Sequence, residues 1–179
     1  MEEKQKSVTM NGLTWGIVAG VLMIVYSLIL YLLDQSLNAN ISWIGFLFLI
    51  GAMIWGTLEY RKTLPGGFMT YGKAFSASFM IVLFAAILIG IFTYLLYTVI
   101  APDLLVQVTE LGRQRAIETN PEMTDEQIEQ AMQMTSFFRG PVVMAVSGFI
   151  VQLIIGAIIS LITSIFLKKE DESLTSSVI

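Results

Sequence analysis

The chain has 179 residues, 55% of them apolar and only 13% charged, which excludes an ordinary soluble domain. Its formal net charge of −4 has the wrong sign for a nucleic-acid-binding surface. Cysteine and histidine are both absent, which removes disulfides, thiolate chemistry, the usual zinc ligand and the commonest base near neutral pH.

Residues 1–12 form a mixed-charge tail with Glu2, Glu3, Lys4 and Lys6. No small-residue cleavage site follows the first apolar run, so that run is expected to stay as an anchor rather than act as a cleaved signal. Apolar stretches follow at 13–33, 41–58, 74–100 and 142–167. Each reaches the roughly 18–20 residues needed to cross a hydrocarbon core of about 30 Å. The expected fold is therefore all-α, an integral membrane four-helix bundle. A short outer loop lies at 34–40, a cytosolic linker at 59–73, a helical hairpin at 101–141 between the third and fourth spans, and a cytosolic tail at 168–179.

Lys and Arg near the bilayer set orientation. Lys4, Lys6, Arg61, Lys62, Lys73, Lys168 and Lys169 fall on one predicted side, and Arg113, Arg115 and Arg139 on the other. The second side also carries Asp103, Glu110, Glu118, Glu122, Asp125, Glu126 and Glu129. Both ends of the chain are expected in the cytoplasm, and the acidic hairpin in the periplasm of a Gram-negative cell.

Lipid supplies no hydrophobic drive between helices, so a bundle depends on close approach at small residues. The first span has Gly12, Gly16 and Gly20 at four-residue spacing. The fourth has Gly148, Gln152, Gly156, Ser160 and Ser164 at the same spacing. Four residues advance about 400° around a helix, so each set forms one slowly drifting stripe. These stripes are expected to pack within the bundle. Gln152 is the most polar side chain near a span centre and is expected to bond across the bundle. Asp34 and Glu59 sit only at span ends, so no ionisable group lies at depth, as ion-coupled transport usually requires. Trp15, Tyr31, Trp43, Trp55, Tyr60 and Tyr97 gather towards span ends like an aromatic belt.

In the linker, Gly67-Phe-Met-Thr-Tyr-Gly72-Lys73-Ala74 nearly matches a phosphate-binding loop. It lacks the hydroxyl residue and the preceding strand, so it reads as a Pro65-Gly66-Gly67 turn between membrane helices. Phe68, Tyr71 and Phe75 would anchor the next helix at the headgroups, with Lys73 reaching the cytosolic interface. In the outer insertion, Pro102 can open a helix bearing Leu104, Leu105, Val108 and Leu111. Thr124-Asp-Glu-Gln127 reads as a capping box for a second helix whose less polar face carries Ile128, Ala131, Met132 and Thr135. Leu104, Val108, Leu111, Ile128 and Met132 could pair into a small core, leaving Glu118, Glu122, Asp125, Glu126 and Glu129 as an acidic rim.

The linker Gly66-Gly-Phe-Met-Thr-Tyr-Gly-Lys-Ala-Phe75 and the segment Met123-Thr-Asp-Glu-Gln-Ile-Glu-Gln-Ala-Met132 resemble a Bacteroidota membrane family known as domain of unknown function 4199. The resemblance extends to the order of spans and insertion over most of the chain. It implies an inner-membrane protein and carries no activity or site residues. The expected function is that of a non-enzymatic scaffold or accessory subunit without cofactors. It would contact the lipid bilayer and a protein partner or further copies of itself. A small oligomeric transporter or channel subunit is the alternative.

Overall fold

The computed structural model describes residues 7–134 and 140–169. Lys4, Lys6, Thr135 and Arg139 lie outside these residues. The described chain is helical: α1 (Val8–Leu32), α2 (Ala39–Ser42), α3 (Gly45–Lys62), α4 (Tyr71–Leu95), α5 (Pro102–Thr119), α6 (Asp125–Met134) and α7 (Pro141–Leu167). Four segments are long and apolar enough to cross a bilayer: Val8–Leu32, Ala39–Lys62, Tyr71–Ile100 and Pro141–Leu167, of 25, 24, 30 and 27 residues. At about 1.5 Å per residue each exceeds a hydrocarbon core of about 30 Å.

The helices begin and end differently from the apolar runs. α1 starts at Val8, so Asn11 and Gly12 belong to the first span rather than to the predicted tail 1–12. Asn11 does not end the helix because its Nδ2 donates to the Gly56 carbonyl oxygen at 3.0 Å, which satisfies a polar group inside apolar surroundings. α3 continues through Glu59, Arg61 and Lys62, beyond the predicted end at 58, because the cations suit the negative end of a helix. α1 stops where Asp34 takes a φ of 55° and the Gln35 N–H turns back to the Leu30 carbonyl at 2.8 Å.

The chain forms two compact units, one running to Ile89 and resuming at Val151, the other Gly90–Ile150. In the first unit α1 and α3 are antiparallel. Asn11 meets Gly56 near one end, and the Tyr26 hydroxyl donates to the Ile41 carbonyl at 2.7 Å near the other. α1 runs parallel to α4, since Gly12, Gly16 and Gly20 face Met80, Phe84 and Leu88 in turn. Ala19, Leu49, Ala52, Met53, Ile81, Val82 and Ala85 make the main core, with Leu153 and Ile159 of α7 packed on it.

A second cluster closes the linker end: Tyr60, Leu64, Met69, Ala74, Ala77 and Leu167. The predicted Pro65-Gly66-Gly67 turn is present, with both glycines at a φ of 66°. A Cβ on Gly66 would lie 2.6 Å from the Phe68 ring, so a side chain is excluded there sterically as well as conformationally. Beyond the turn, Met69 and Lys169 pair like two strand residues, with N–H to carbonyl distances of 2.7 and 2.9 Å. Arg61 Nη1 donates to the Leu167 carbonyl at 3.2 Å, and Lys169 Nζ lies 5.4 Å from the Phe68 ring centroid. The linker thus fastens the last turn of α7. Tyr71 donates to the Leu161 carbonyl at 3.2 Å, and Phe75 stacks on Phe79.

In the second unit, α4 gives way to a π-helical turn, Leu96–Ile100. The Ala101 N–H closes on the Leu96 carbonyl at 2.7 Å, and Pro102 opens α5, where its missing N–H costs nothing. α5 touches both this turn and α6. Leu104 and Ile128 are buried, while Val108, Leu111 and Met132 are half-buried.

Candidate functional site

The small residues divide by what stands opposite them. A Cβ built on Gly12 would sit 2.5 Å from Met80 Cβ; on Gly16, 2.6 Å from Phe84 Cβ and 2.9 Å from the Ile81 carbonyl oxygen. On Gly20 it would meet Leu88 at 2.7 Å, and on Gly156 it would overlap the Val82 side chain. Gly148 differs: it is exposed and has nothing within 4 Å of an added Cβ. The buried line on α7 passes instead through Ala145, Gln152, Gly156, Ser160 and Ser164. A four-residue repeat drifts about 40° per step, so Gly148 rotates off the face that Gly156 and Ser160 share, whereas a seven-residue step from Gln152 returns to Ala145.

Gln152 is 6% exposed, and its Nε2 makes no hydrogen bond among the described residues, where a bond across the bundle was expected. Polar bonding concentrates elsewhere, in a layer nearer the linker end. Asn11 of α1 reaches Gly56 of α3. The hydroxyls of Thr57 on α3 and Ser78 on α4 are 2.9 Å apart and fully buried. α4 and α7 are antiparallel around Val82 and Gly156, and one turn on in each helix brings Ser78 level with Ser160. Ser164 Oγ donates to the Ser160 carbonyl. All four long helices of this unit therefore contribute polar side chains to a buried layer. Within it Asn11 Oδ1 and Ser160 Oγ make no hydrogen bond among the described residues.

Asn11 and Thr57 are not singled out by the sequence reading, which offers Ser78, with Ala74, Ala86 and Gly90, only as a small packing residue of the third span. Asn11 had a signal: it is a polar residue beside the first glycine of the stripe. Thr57 and Ser78 had little, since single hydroxyls in membrane helices commonly bond their own backbone. Glu59 lies one turn inside the end of α3, where its Oε2 accepts from Trp15 Nε1 at 2.9 Å. Among the described residues no group of three or more acids could hold a metal ion.

The paired helices α5 and α6 carry the acids. The predicted capping box forms: the Thr124 N–H donates to Gln127 Oε1 at 2.9 Å, and the Gln127 N–H to Thr124 Oγ1 at 3.4 Å. Glu118, Glu122, Asp125, Glu126 and Glu129 are all exposed. Asp125 and Glu126 stand in the first turn of α6, where the helix dipole favours them. Glu118, Glu122 and Glu129 have no such local reason. Val106, 69% exposed, and Met134, 83% exposed, add apolar surface to the same pair.

No curated protein and no solved structure matches the chain. A family described as protein of unknown function, DUF4199, matches residues 14–169, from the first membrane helix to the clasp at Lys169. The chain, with its four candidate spans and paired helices, belongs to that family.

Proposed function

We propose that this protein is a non-enzymatic component of a Gram-negative inner membrane, a scaffold or accessory subunit that binds a basic protein surface through α5 and α6. The observation that carries the reading is a helical pair with its own cap and buried contacts, built beyond what joining two spans requires. From Asp103 to Glu129 the described pair has seven acids and two bases, Arg113 and Arg115, which favours a cationic partner. The basic residues at the linker end support an orientation with that end cytoplasmic and the helical pair periplasmic. The experiment exchanges residues 103–139 for a flexible linker and compares proteins that co-purify in mild detergent. Loss of one partner, also shed from the intact protein at high salt, supports the reading. Retention of every co-purifying protein rejects it.

A second reading, a small transporter or channel subunit, draws on a different observation. Asn11 Oδ1, Gln152 Nε2 and Ser160 Oγ are buried without hydrogen bonds among the described residues. Water inside the bundle would satisfy all three. Ser160→Cys should then react with a small water-soluble thiol reagent in intact vesicles; an unreactive thiol rejects a wet interior.

A further inference from the structure

Three successive carbonyls of α7, those of Ile159, Ser160 and Leu161, each accept a side-chain hydroxyl. Thr163 Oγ1 donates to Ile159 at 2.9 Å and to Ser160 at 3.3 Å, and Ser164 Oγ donates to Ser160. The Tyr71 hydroxyl reaches Leu161 at 3.2 Å. Bonds of this kind compete with the backbone ladder, and they weaken and often bend a helix. They fall between the tightly packed turn of α7, where Gly156 meets Val82, and its last turn. That last turn is held from outside the helix, by Arg61 on the Leu167 carbonyl and by the pairing of Met69 with Lys169.

The same turn closes one end of the polar layer. Towards the linker, each long helix of this unit carries an apolar residue one or two turns beyond its layer residue. Val8 lies beyond Asn11, Tyr60 beyond Thr57, Ala74 beyond Ser78 and Leu167 beyond Ser160. With Leu64, Met69 and Ala77 these residues form an apolar plug. Leu167 is the contribution of α7, and it follows the three carbonyls with the extra bonds. Behind the plug, Asn11 Oδ1 and Ser160 Oγ are fully buried and make no hydrogen bond among the described residues. A buried polar atom without a partner is costly, so contact with water favours a state in which the plug is open. The bonds from Arg61, Met69 and Tyr71 favour the closed one.

We propose that the last two turns of α7 are a gate. They hinge at residues 159–161 and are latched shut by Arg61, Met69 and Tyr71. Opening lifts Leu167 out of the plug, and water then reaches the polar layer from the linker end. The gate rests on the second reading, a polar interior, and adds the end at which that interior opens. The chain has no cysteine, so Ser160→Cys makes a single reporter. Its thiol sits at a fully buried position, and its rate of reaction with a small water-soluble thiol reagent in vesicles follows the open population. Tyr71→Phe, which removes only the hydroxyl, and Arg61→Gln should each speed that reaction about 2–10-fold, the factor expected from one lost hydrogen bond. Met53→Cys, in the main core, should stay unreactive with the latch intact or cut. Hydrogen exchange locates the hinge: in both latch variants it should quicken over residues 162–167 and stay unchanged over 153–158. A Ser160→Cys thiol that reacts equally fast with and without the latch would keep the wet interior and overturn the gate. One that reacts in neither case would overturn both. Parallel acceleration at Met53→Cys, or faster exchange on both sides of residues 159–161, would mean general loosening and would also overturn the gate.

Discussion

Adding one methyl group at Gly16 tests whether α1 and α4 are in backbone contact. The new Cβ in Gly16→Ala would lie 2.6 Å from Phe84 Cβ, 2.9 Å from the Ile81 carbonyl oxygen and 3.1 Å from the Ala85 nitrogen. Two of those three atoms are backbone, so no rotamer change relieves the clash, and α1 must move away from α4. Overpacking of this kind costs about 1–3 kcal/mol, here towards the upper end. Replacing a helical glycine by alanine returns about 1 kcal/mol of intrinsic helix propensity. The net loss is about 1–2 kcal/mol, or roughly 2–8 °C for a protein of this size by the usual scaling. Gly148→Ala supplies the control, because open space surrounds that position. It should keep only the propensity gain and melt at the wild-type temperature or about 1–4 °C above it. Thermal unfolding in one detergent, followed by loss of monodisperse protein, reads both. If Gly16→Ala melts with Gly148→Ala, at or above the wild type, the α1–α4 contact is wrong.

Other outcomes follow from the polar layer and the paired helices. Thr57→Val or Ser78→Ala alone strands a buried hydroxyl and should cost about 1–3 kcal/mol, while the double variant should recover part of that loss. A thermal-stability cycle showing strict additivity would mean that the two hydroxyls do not interact. Gln152→Leu removes a buried amide whose Nε2 makes no hydrogen bond among the described residues, so melting should stay level or rise; a clear fall would place bridging water at the amide. Thr124→Ala should weaken the start of α6 by about 0.5–2 kcal/mol, seen as faster hydrogen exchange in that helix with little change in overall melting. Single cysteines at Ser7 and Glu118 should differ in intact spheroplasts, with a membrane-impermeant reagent labelling position 118 and sparing position 7; the reverse pattern would invert the proposed orientation.

The parts of the fold that could be read in the sequence are those in which the solvent dictates the pattern. A helix that crosses a bilayer must be long and apolar, with its backbone satisfied internally, so the four candidate spans stand out in composition alone. Gly12, Gly16 and Gly20 were legible for a related reason: over only two steps a four-residue repeat drifts about 80° and remains on one contact face. The same repeat extended from Gly148 to Ser164 drifts about 160°, wider than one helix face, so one end of it had to fall outside the contact. The polar layer was harder to see because Asn11, Thr57, Ser78 and Ser160 lie in four different segments. Each is unremarkable alone, and only the packing registers bring them level. The clasp of Met69 and Arg61 on the end of α7 was invisible for the same reason, since neither residue carries a local sign of a partner about 100 positions away.

The clasp and the layer give the first unit a kind of bonding that differs from that within α5 and α6. At the linker end the helices are joined through side chains and backbone: Asn11 to Gly56, Thr57 to Ser78, Arg61 to Leu167 and Met69 to Lys169. Such bonds are directional and hold a register that apolar packing alone would leave free to slide in lipid. α5 and α6 are instead held by a few apolar contacts and a cap, with their acids exposed. Elements with few buried contacts open at lower free energy than a packed core. On the proposed reading, α5 and α6 carry the binding surface and the bonded helices of the first unit are the anchor. Breaking the Thr57–Ser78 bond should therefore lower bundle stability and leave partner capture unchanged, while Thr124→Ala should do the opposite. Loss of capture from the Thr57 or Ser78 variants, in protein that remains folded, would show that the layer and the helical pair act as one device.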